Sequence, residues 1–587
     1  MNVLWNLDDL YTSFQSEEFL ADIELAKKEI GELSSWAGEN FASKDNAAEK
    51  IATFINRVNN DSKPLRKLAP YCMLVRSVDE SNKDAKKYED IVRNIMSDMA
   101  KPDVLFKAYV GSLDNLDSLI ASNPVLQEHA FILGEIKAQN AYLLSEKEEV
   151  ILAKMKNTGS NAWNDMKEQL CATLRIPVTV DGVEKVLPLP AIRNLAHDKN
   201  QETRKAAYIA ELKSYEQVER AVAAALNSIK GEVVTTVALR GYSSPLDMTL
   251  KSSRMEEGTL KAMITAMEEY LPSLRRYFKK KAEVLGHKNG LPWYDLFAPT
   301  GEIDLTYNYE EAKELVLEQF YKFSKKLGDY TKHAFDNGWV DDTVREGKRG
   351  GAFCVNLHAI GQSRVMLNHD GAFSNVITLA HEFGHAYHGE CLKDKTYMNS
   401  VYSMPIAETA STFCESIVVD AVLANVDDKT RYAILEQEIS KSLQIIIDIY
   451  SRYLFELRFF EKRAQGVVSV EDINQLMLQA QKDAYGDGLD PEHLHQYMWV
   501  NKPHYYYAAR NFYNFPYAYG MMFSSGLYAQ YLEQGESFVQ KYDDLLAATG
   551  SASLEAIGDL AGINVREKDF WLNALKVIES KVDEFCK

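Results

Sequence analysis

Residues 378–390 read TLAHEFGHAYHGE, and how this stretch folds decides what must surround it. Its apolar and small residues (Leu379, Ala380, Phe383, Gly384, Ala386, Tyr387) suit a buried helix. Residues three and four apart are neighbours on a helix, so His381, His385 and His388 share one face. A buried helix with three imidazoles and a carboxylate has two explanations. Either the histidines are satisfied inside a core, or they hold a metal ion.

His381-Glu382-Phe383-Gly384-His385 is an H-E-x-x-H pattern. One helical turn lifts the second imidazole about 5–6 Å above the first, and both can converge on one ion with bonds of about 2.0–2.1 Å. Glu382, beside the first ligand, can then act as general base on a water there. His388 lies about 10 Å along the axis from His381, so one ion cannot take both; it is expected in the surrounding shell or the core.

A tetrahedral catalytic zinc takes three protein ligands and keeps one corner for water. No H-x-x-G-x-x-H continuation follows, which moves the search to MPIAETASTFCESIVVD, 404–420. Pro405 suits a first helical turn, and the helix then carries Glu408 and Glu415 seven residues apart. Glu408 is the expected third ligand. Glu415, two turns on, overshoots by about 10 Å and is placed instead to orient a ligating histidine. Both acids would equally suit a solvated face.

Composition narrows the class. In 587 residues, 46% are hydrophobic and 26% charged, as in an ordinary folded protein. A formal charge of −19 and the lack of a Lys/Arg-rich patch argue against a nucleic-acid partner. The N-terminus, MNVLWNLDDLYTSF, lacks the features of a secretory leader. Apolar runs such as Leu443–Ile449 are too short to cross a bilayer, so no membrane role is expected. Cysteines 72, 171, 354, 391, 414 and 586 show no CxxC pair; free thiols and a cytoplasmic location are expected.

Most of the chain carries a helical period, clearest at 17–31, 202–231 and 308–326. Strand signals are local. RIPVTVDGVEKVLPLP, 175–190, reads as a hairpin turning on Asp181-Gly182. GGAFCVNLHAIGQSRVMLNHDG, 350–371, alternates around a turn at Ala359–Gln362, directly before the histidine helix. The expected division is an N-terminal helical region over 1–110, a helical region with the hairpin over 111–190, and a region with the candidate metal site over 191–587. Near the end, KPHYYYAARNFYNFPYAYGMMF (502–523) gathers His504 with six tyrosines. Tyrosines are mostly packing, but together with His504 they suit substrate contact and donation to an oxyanion.

WNLDDLY (5–11), LRGYSSPLD (239–247), WYDLFAP (293–299), REGKRGGAF (345–353), VMLNHDGAFSNVITLAHEFGHAYH (365–388), AETASTFCE (407–415) and FYNFPYAYG (512–520) occur in this order. In this the chain resembles, nearly end to end, the oligoendopeptidase F group of zinc peptidases, relatives of thimet oligopeptidase. The resemblance implies a mainly α, two-lobed metallopeptidase fold around a deep substrate channel, with a small β-sheet beside the H-E-x-x-H helix. It implies one zinc ion per chain and hydrolysis of internal bonds in short peptides. By motif position, His381, His385 and Glu408 bind zinc and Glu382 is the base. His504 and Tyr513 or Tyr517 contact substrate or stabilise the oxyanion, and Tyr519 adds a substrate contact. The strand at Val365–Asn368, with Val365 and Leu367, lends its edge to the peptide.

Two other readings use the same residues. A carboxypeptidase or dipeptidyl carboxypeptidase needs a cation for the substrate's terminal carboxylate, for which Arg345, Lys348 and Arg510 are candidates. A non-catalytic peptide-binding protein would keep the fold without needing Glu382.

Overall fold

A computed structural model describes residues 4–301, 303 and 305–587; Met1–Val3 of the N-terminal stretch lie outside the described residues. The chain is 71% helical, so the sheets serve local purposes. It packs into two units, each assembled from three separate stretches. The first takes Met1–Ala141, Leu305–Ala424 and Gln530–Ile563; the second takes Tyr142–Asp304, Asn425–Ala529 and Asn564–Lys587. The regions bounded near residues 110 and 190 on composition are a different division from this one. All six cysteines are free.

In the second unit the expected hairpin forms: β1 (Ile176–Val180) pairs antiparallel with β2 (Val183–Leu187). Asp181 and Gly182 both take positive φ, 52° and 76°, as a two-residue type I′ turn requires. The helical period at 202–231 resolves into two helices, Gln201–Tyr215 and Glu219–Arg240. By length and hydropathy Glu219–Arg240 could cross a membrane, unlike the shorter Leu443–Ile449 stretch, yet 56% of its apolar window is buried within the protein. Lys230 inside it is buried against Glu456 at 2.6 Å. Such an ion pair belongs to a protein interior.

In the first unit the 308–326 period also divides. Asn308 and Glu311 form a capping box that starts Tyr309–Phe323. Ser324 then turns extended and its hydroxyl caps Lys325–Asp336. Next come three strands, β3 (Val340–Thr343), β4 (Phe353–Leu357) and β5 (Gln362–His369), in the order β3-β5-β4. β4 and β5 are the hairpin read from the alternation, with Gly361 at φ 61° in its turn. β3 runs parallel to β5. Leu357 and Met366 turn one face of the sheet into a core shared with Phe19, Leu68 and Tyr71.

This order corrects one expectation. β5 is the central strand, hydrogen-bonded on both sides, so it has no edge to offer a peptide. Val365 and Leu367 are 1% and 2% exposed and belong to the core.

β3 carries two aspartates, a poor strand signal, and is held by charge. Asp341 is 1% exposed. It receives Lys348 Nζ at 2.6 Å and both Arg345 guanidinium nitrogens at 2.7 and 2.8 Å. The Lys348 ammonium also donates to the Leu367 carbonyl at 2.5 Å, tying β3 to β5. Lys348→Met strips the fully buried partner from a buried carboxylate. It should lower stability by about 3–5 kcal/mol, and Arg345→Met, at a site with water access, by clearly less. Urea midpoints of the two variants check the order.

Candidate active site

The site is built where the helix Phe373–Leu392 crosses the helix Thr409–Leu423. Gly384 permits the crossing. A Cβ on it would stand 2.4 Å from the Ala410 carbonyl oxygen and 2.5 Å from Ser411 Cα. No side chain fits there. The glycine inside H-E-x-x-H is what brings the second helix to the histidines.

The expected continuous helix around Glu408 is interrupted. Pro405 opens a single turn, Met404–Ala407, and Glu408 sits at the joint before Thr409 with φ −91° and ψ 2°. From there its carboxylate reaches both imidazoles: Oε2 lies 3.4 Å from His381 Nε2 and 3.4 Å from His385 Nε2. The two Nε2 atoms are 3.2 Å apart. Donors on a tetrahedral ion with bonds of about 2.0–2.1 Å stand about 3.3–3.4 Å from one another. The three side chains thus fit a small divalent ion and leave one corner open. Among the described residues they are the group so arranged.

His381 is aimed from behind. Its Nδ1 is 2.5 Å from Glu415 Oε1, and a carboxylate accepting there leaves Nε2 for a metal. The Ser411 hydroxyl donates to Glu408 Oε2 at 3.0 Å, and Asn356 Nδ2 on β4 donates to the His385 carbonyl at 3.1 Å. Sequence reading missed both. Ser411 had a signal, since a residue three on from Glu408 lies within reach on a helical turn.

Glu382 is 6% exposed. Burial raises its carboxyl above the usual range, against the pull of His381 and His385. Among the described residues it has no hydrogen-bond partner, which leaves it free to take a proton. Burial would lower His381, but the Glu408 and Glu415 carboxylates outweigh it and push the imidazolium up to about 10. Burial would raise Glu408, yet the same two histidines hold it well below the carboxylate range. His388 is core, as one of the two expectations for it held. It is 0% exposed, stacks on Tyr402 at 4.2 Å and meets the Thr549 hydroxyl at 2.8 Å.

The tyrosine segment lies in the second unit. The structure brings three of its expected residues together: His504 stacks on Tyr513 with ring centroids 5.3 Å apart, and Tyr517 meets Tyr513 edge-on at 5.9 Å. Burial, then Arg452 and Lys502, push His504 down to about 4, so it stands neutral with its N–H available. Tyr519 does not join them. It is 0% exposed and packs on Phe523 and Trp571, so the expected substrate contact is corrected to a core position.

A His-His-Glu cluster with a buried carboxylate beside it is an arrangement that metallopeptidases use. Residues 194–577 match the family described as "Peptidase family M3", and 112–176 match "Oligopeptidase F". The chain belongs to peptidase family M3. It is 26% identical to Oligopeptidase PepF of Bacillus subtilis over 99% of this chain and 86% of that protein. It is 25% identical to an Oligoendopeptidase F homolog of Lactococcus lactis over 99% of this chain and 96% of the relative. Among solved structures, a Chlamydophila abortus protein described as a peptidase superposes with a TM-score of 0.85 at 21% identity, covering 99% and 98% of the two chains. Oligoendopeptidase-F from Enterococcus faecium gives 0.68 at 20% identity, covering 95% and 97%.

Two outcomes follow from this geometry. Gly384→Ala forces the helices apart and should cost about 1–3 kcal/mol of stability and at least about tenfold in metal affinity; competition with a chromophoric chelator reads the second. A cation entering the cluster must displace the proton held on His381 up to about 10. Through the neutral range the affinity should therefore rise about tenfold per pH unit. A flat profile between pH 6 and about pH 8 would contradict the assignment of His381.

Proposed function

We infer that this peptidase is a zinc-dependent oligoendopeptidase that hydrolyses internal bonds of short peptides in the cytoplasm. The observation carrying the reading is the spacing of the donors on His381, His385 and Glu408, 3.2–3.4 Å, beside a carboxylate with no partner of its own. When bound, zinc supplies Lewis acidity toward the peptide carbonyl and the attacking water. Glu382 takes the proton of that water as it attacks, and its carboxylic acid passes the proton to the departing amine nitrogen. Glu415 keeps His381 in the tautomer that presents Nε2, and Ser411 steadies Glu408. The free edge of β4, whose Asn356 also holds the histidine helix, is the strand suited to pair with a peptide backbone. His504 with Tyr513 or Tyr517 is assigned to the substrate and the oxyanion from the family resemblance.

The relatives' names, oligopeptidase and oligoendopeptidase, support the endopeptidase reading. An exopeptidase needs a cation for the terminal carboxylate, and two of its candidates are engaged elsewhere, Arg345 and Lys348 both being bound to Asp341. A binding protein without turnover would have no use for a buried, partnerless Glu382.

Glu382→Gln keeps the shape of the site and removes its base. The variant should hold one zinc per chain by elemental analysis and lose at least about a hundredfold in kcat on a peptide blocked at both ends. Turnover retained within a few-fold would remove Glu382 from the mechanism. Cleavage of free-ended peptides only would favour the exopeptidase.

A further inference from the structure

The second unit holds a half-open cavity of about 910 Å³, all of whose lining residues belong to that unit. Small-molecule sites commonly measure about 300–1,000 Å³. Six lysine or arginine side chains and four carboxylates line it, a positive excess inside a chain of formal charge −19. The ion pairs locate that excess. Lys281 is held by Glu436 at 2.7 Å, Lys167 by Glu168 at 2.9 Å, and Arg193 lies 3.4 Å from Glu211. Arg204 is bound 2.7 Å from Asp295. Among the described residues, the Lys502 ammonium has no ion-pair or hydrogen-bond partner.

Two acids act on Lys502 through space, Asp448 and Glu211, and each already has an arginine. Arg452 hydrogen-bonds Asp448, and Arg193 sits beside Glu211. The ammonium therefore meets no spare negative charge. Burial first, and then Arg452, push it down to about 7. Two more lining side chains carry polar atoms without partners: Asn501 Oδ1 and His495 Nδ1, on residues 9% and 1% exposed. A buried acceptor without a donor and a cation without an anion are each costly when left alone. Phe278, Trp293 and Phe297 supply apolar wall beside them.

We propose that this cavity is a binding site for a carboxylate flanked by an N–H, as at the C-terminal end of a short peptide, with the carboxylate on Lys502 and the N–H on Asn501 Oδ1. The ligand supplies a partner to Lys502 and to Asn501 at once. A halide is too small for the space and brings no donor for Asn501. The site involves neither the histidine cluster nor Glu382, so its occupancy can be read without turnover.

N-acetylglycine, N-acetylglycinamide and acetate, titrated calorimetrically into the zinc-loaded protein, test it. N-acetylglycine should bind, the amide should bind at least about tenfold more weakly, and acetate several-fold more weakly. An anion on Lys502 favours its charged form, so at about pH 8 binding should take up a proton, seen as a heat that depends on the buffer's ionisation enthalpy. The charges facing this lysine are Arg452, Asp448, Arg193 and Glu211, with His504 on the following turn. Lys502→Met should lose about tenfold or more in affinity and all proton uptake, Lys502→Arg should keep the affinity, and Asn501→Ala should erase the advantage of N-acetylglycine over acetate. Equal binding of acid and amide, unchanged binding by Lys502→Met, or no binding of N-acetylglycine at millimolar concentration would overturn the proposal. Thermal midpoints and zinc content within error of wild type in the variants separate loss of the site from loss of the fold.

Discussion

The backbone contact at Gly384 is the constraint on which the candidate site rests. Two helices meet there closer than any side chain would allow, with the Ala410 carbonyl and Ser411 Cα in the space a Cβ would need. That approach makes Glu408 a neighbour of two imidazoles that stand one turn apart on the other helix. The break in the second helix at Glu408 completes the geometry. A carboxylate at the joint can turn toward the histidines, while Glu415, seven residues on and inside the helix, meets the far nitrogen of His381 instead. Two acids of the same kind thus come to serve opposite sides of one imidazole.

A small part of this protein's charge lies inside it, and most of that part is paired. In the first unit Asp341 is saturated by Lys348 and Arg345 and holds a strand whose composition would not have formed one. In the second, Lys230 with Glu456 and Lys281 with Glu436 are buried pairs. Pairs like these add little net stability over an apolar core but penalise any arrangement that separates them. Lys502 and Glu382 differ because neither has a partner. A buried charge left unpaired is a cost that the rest of the fold must carry, and both stand in places where a ligand would relieve it.

The histidine helix was legible because everything it needs lies within two turns, and local spacing is what a sequence displays. Glu408 was legible for a similar reason, although the interruption beside it was not. The β4–β5 hairpin and the Asp181-Gly182 turn announced themselves through alternation and glycine. β3 did not, since Val-Asp-Asp-Thr looks like loop until Lys348 and Arg345 are in place. Without β3, the strand at Val365–Asn368 looked like an edge. Tyr519 was misread because Phe515–Gln534 is apolar nearly all round, and such a helix does not show which tyrosine faces the core. The alternation of the two units along the chain leaves no mark in composition at all.

That alternation governs how the molecule can be made. Tyr387 and His388, inside the histidine helix, find their partners in Asp543 and Thr549, and the second unit is finished only by the helix Lys568–Phe585. A growing chain leaving the ribosome therefore exposes His381 and His385 long before the segment that braces their helix has been translated. The bracing of the histidine helix by Asp543 and Thr549 is a late event in folding, available only once those residues have emerged.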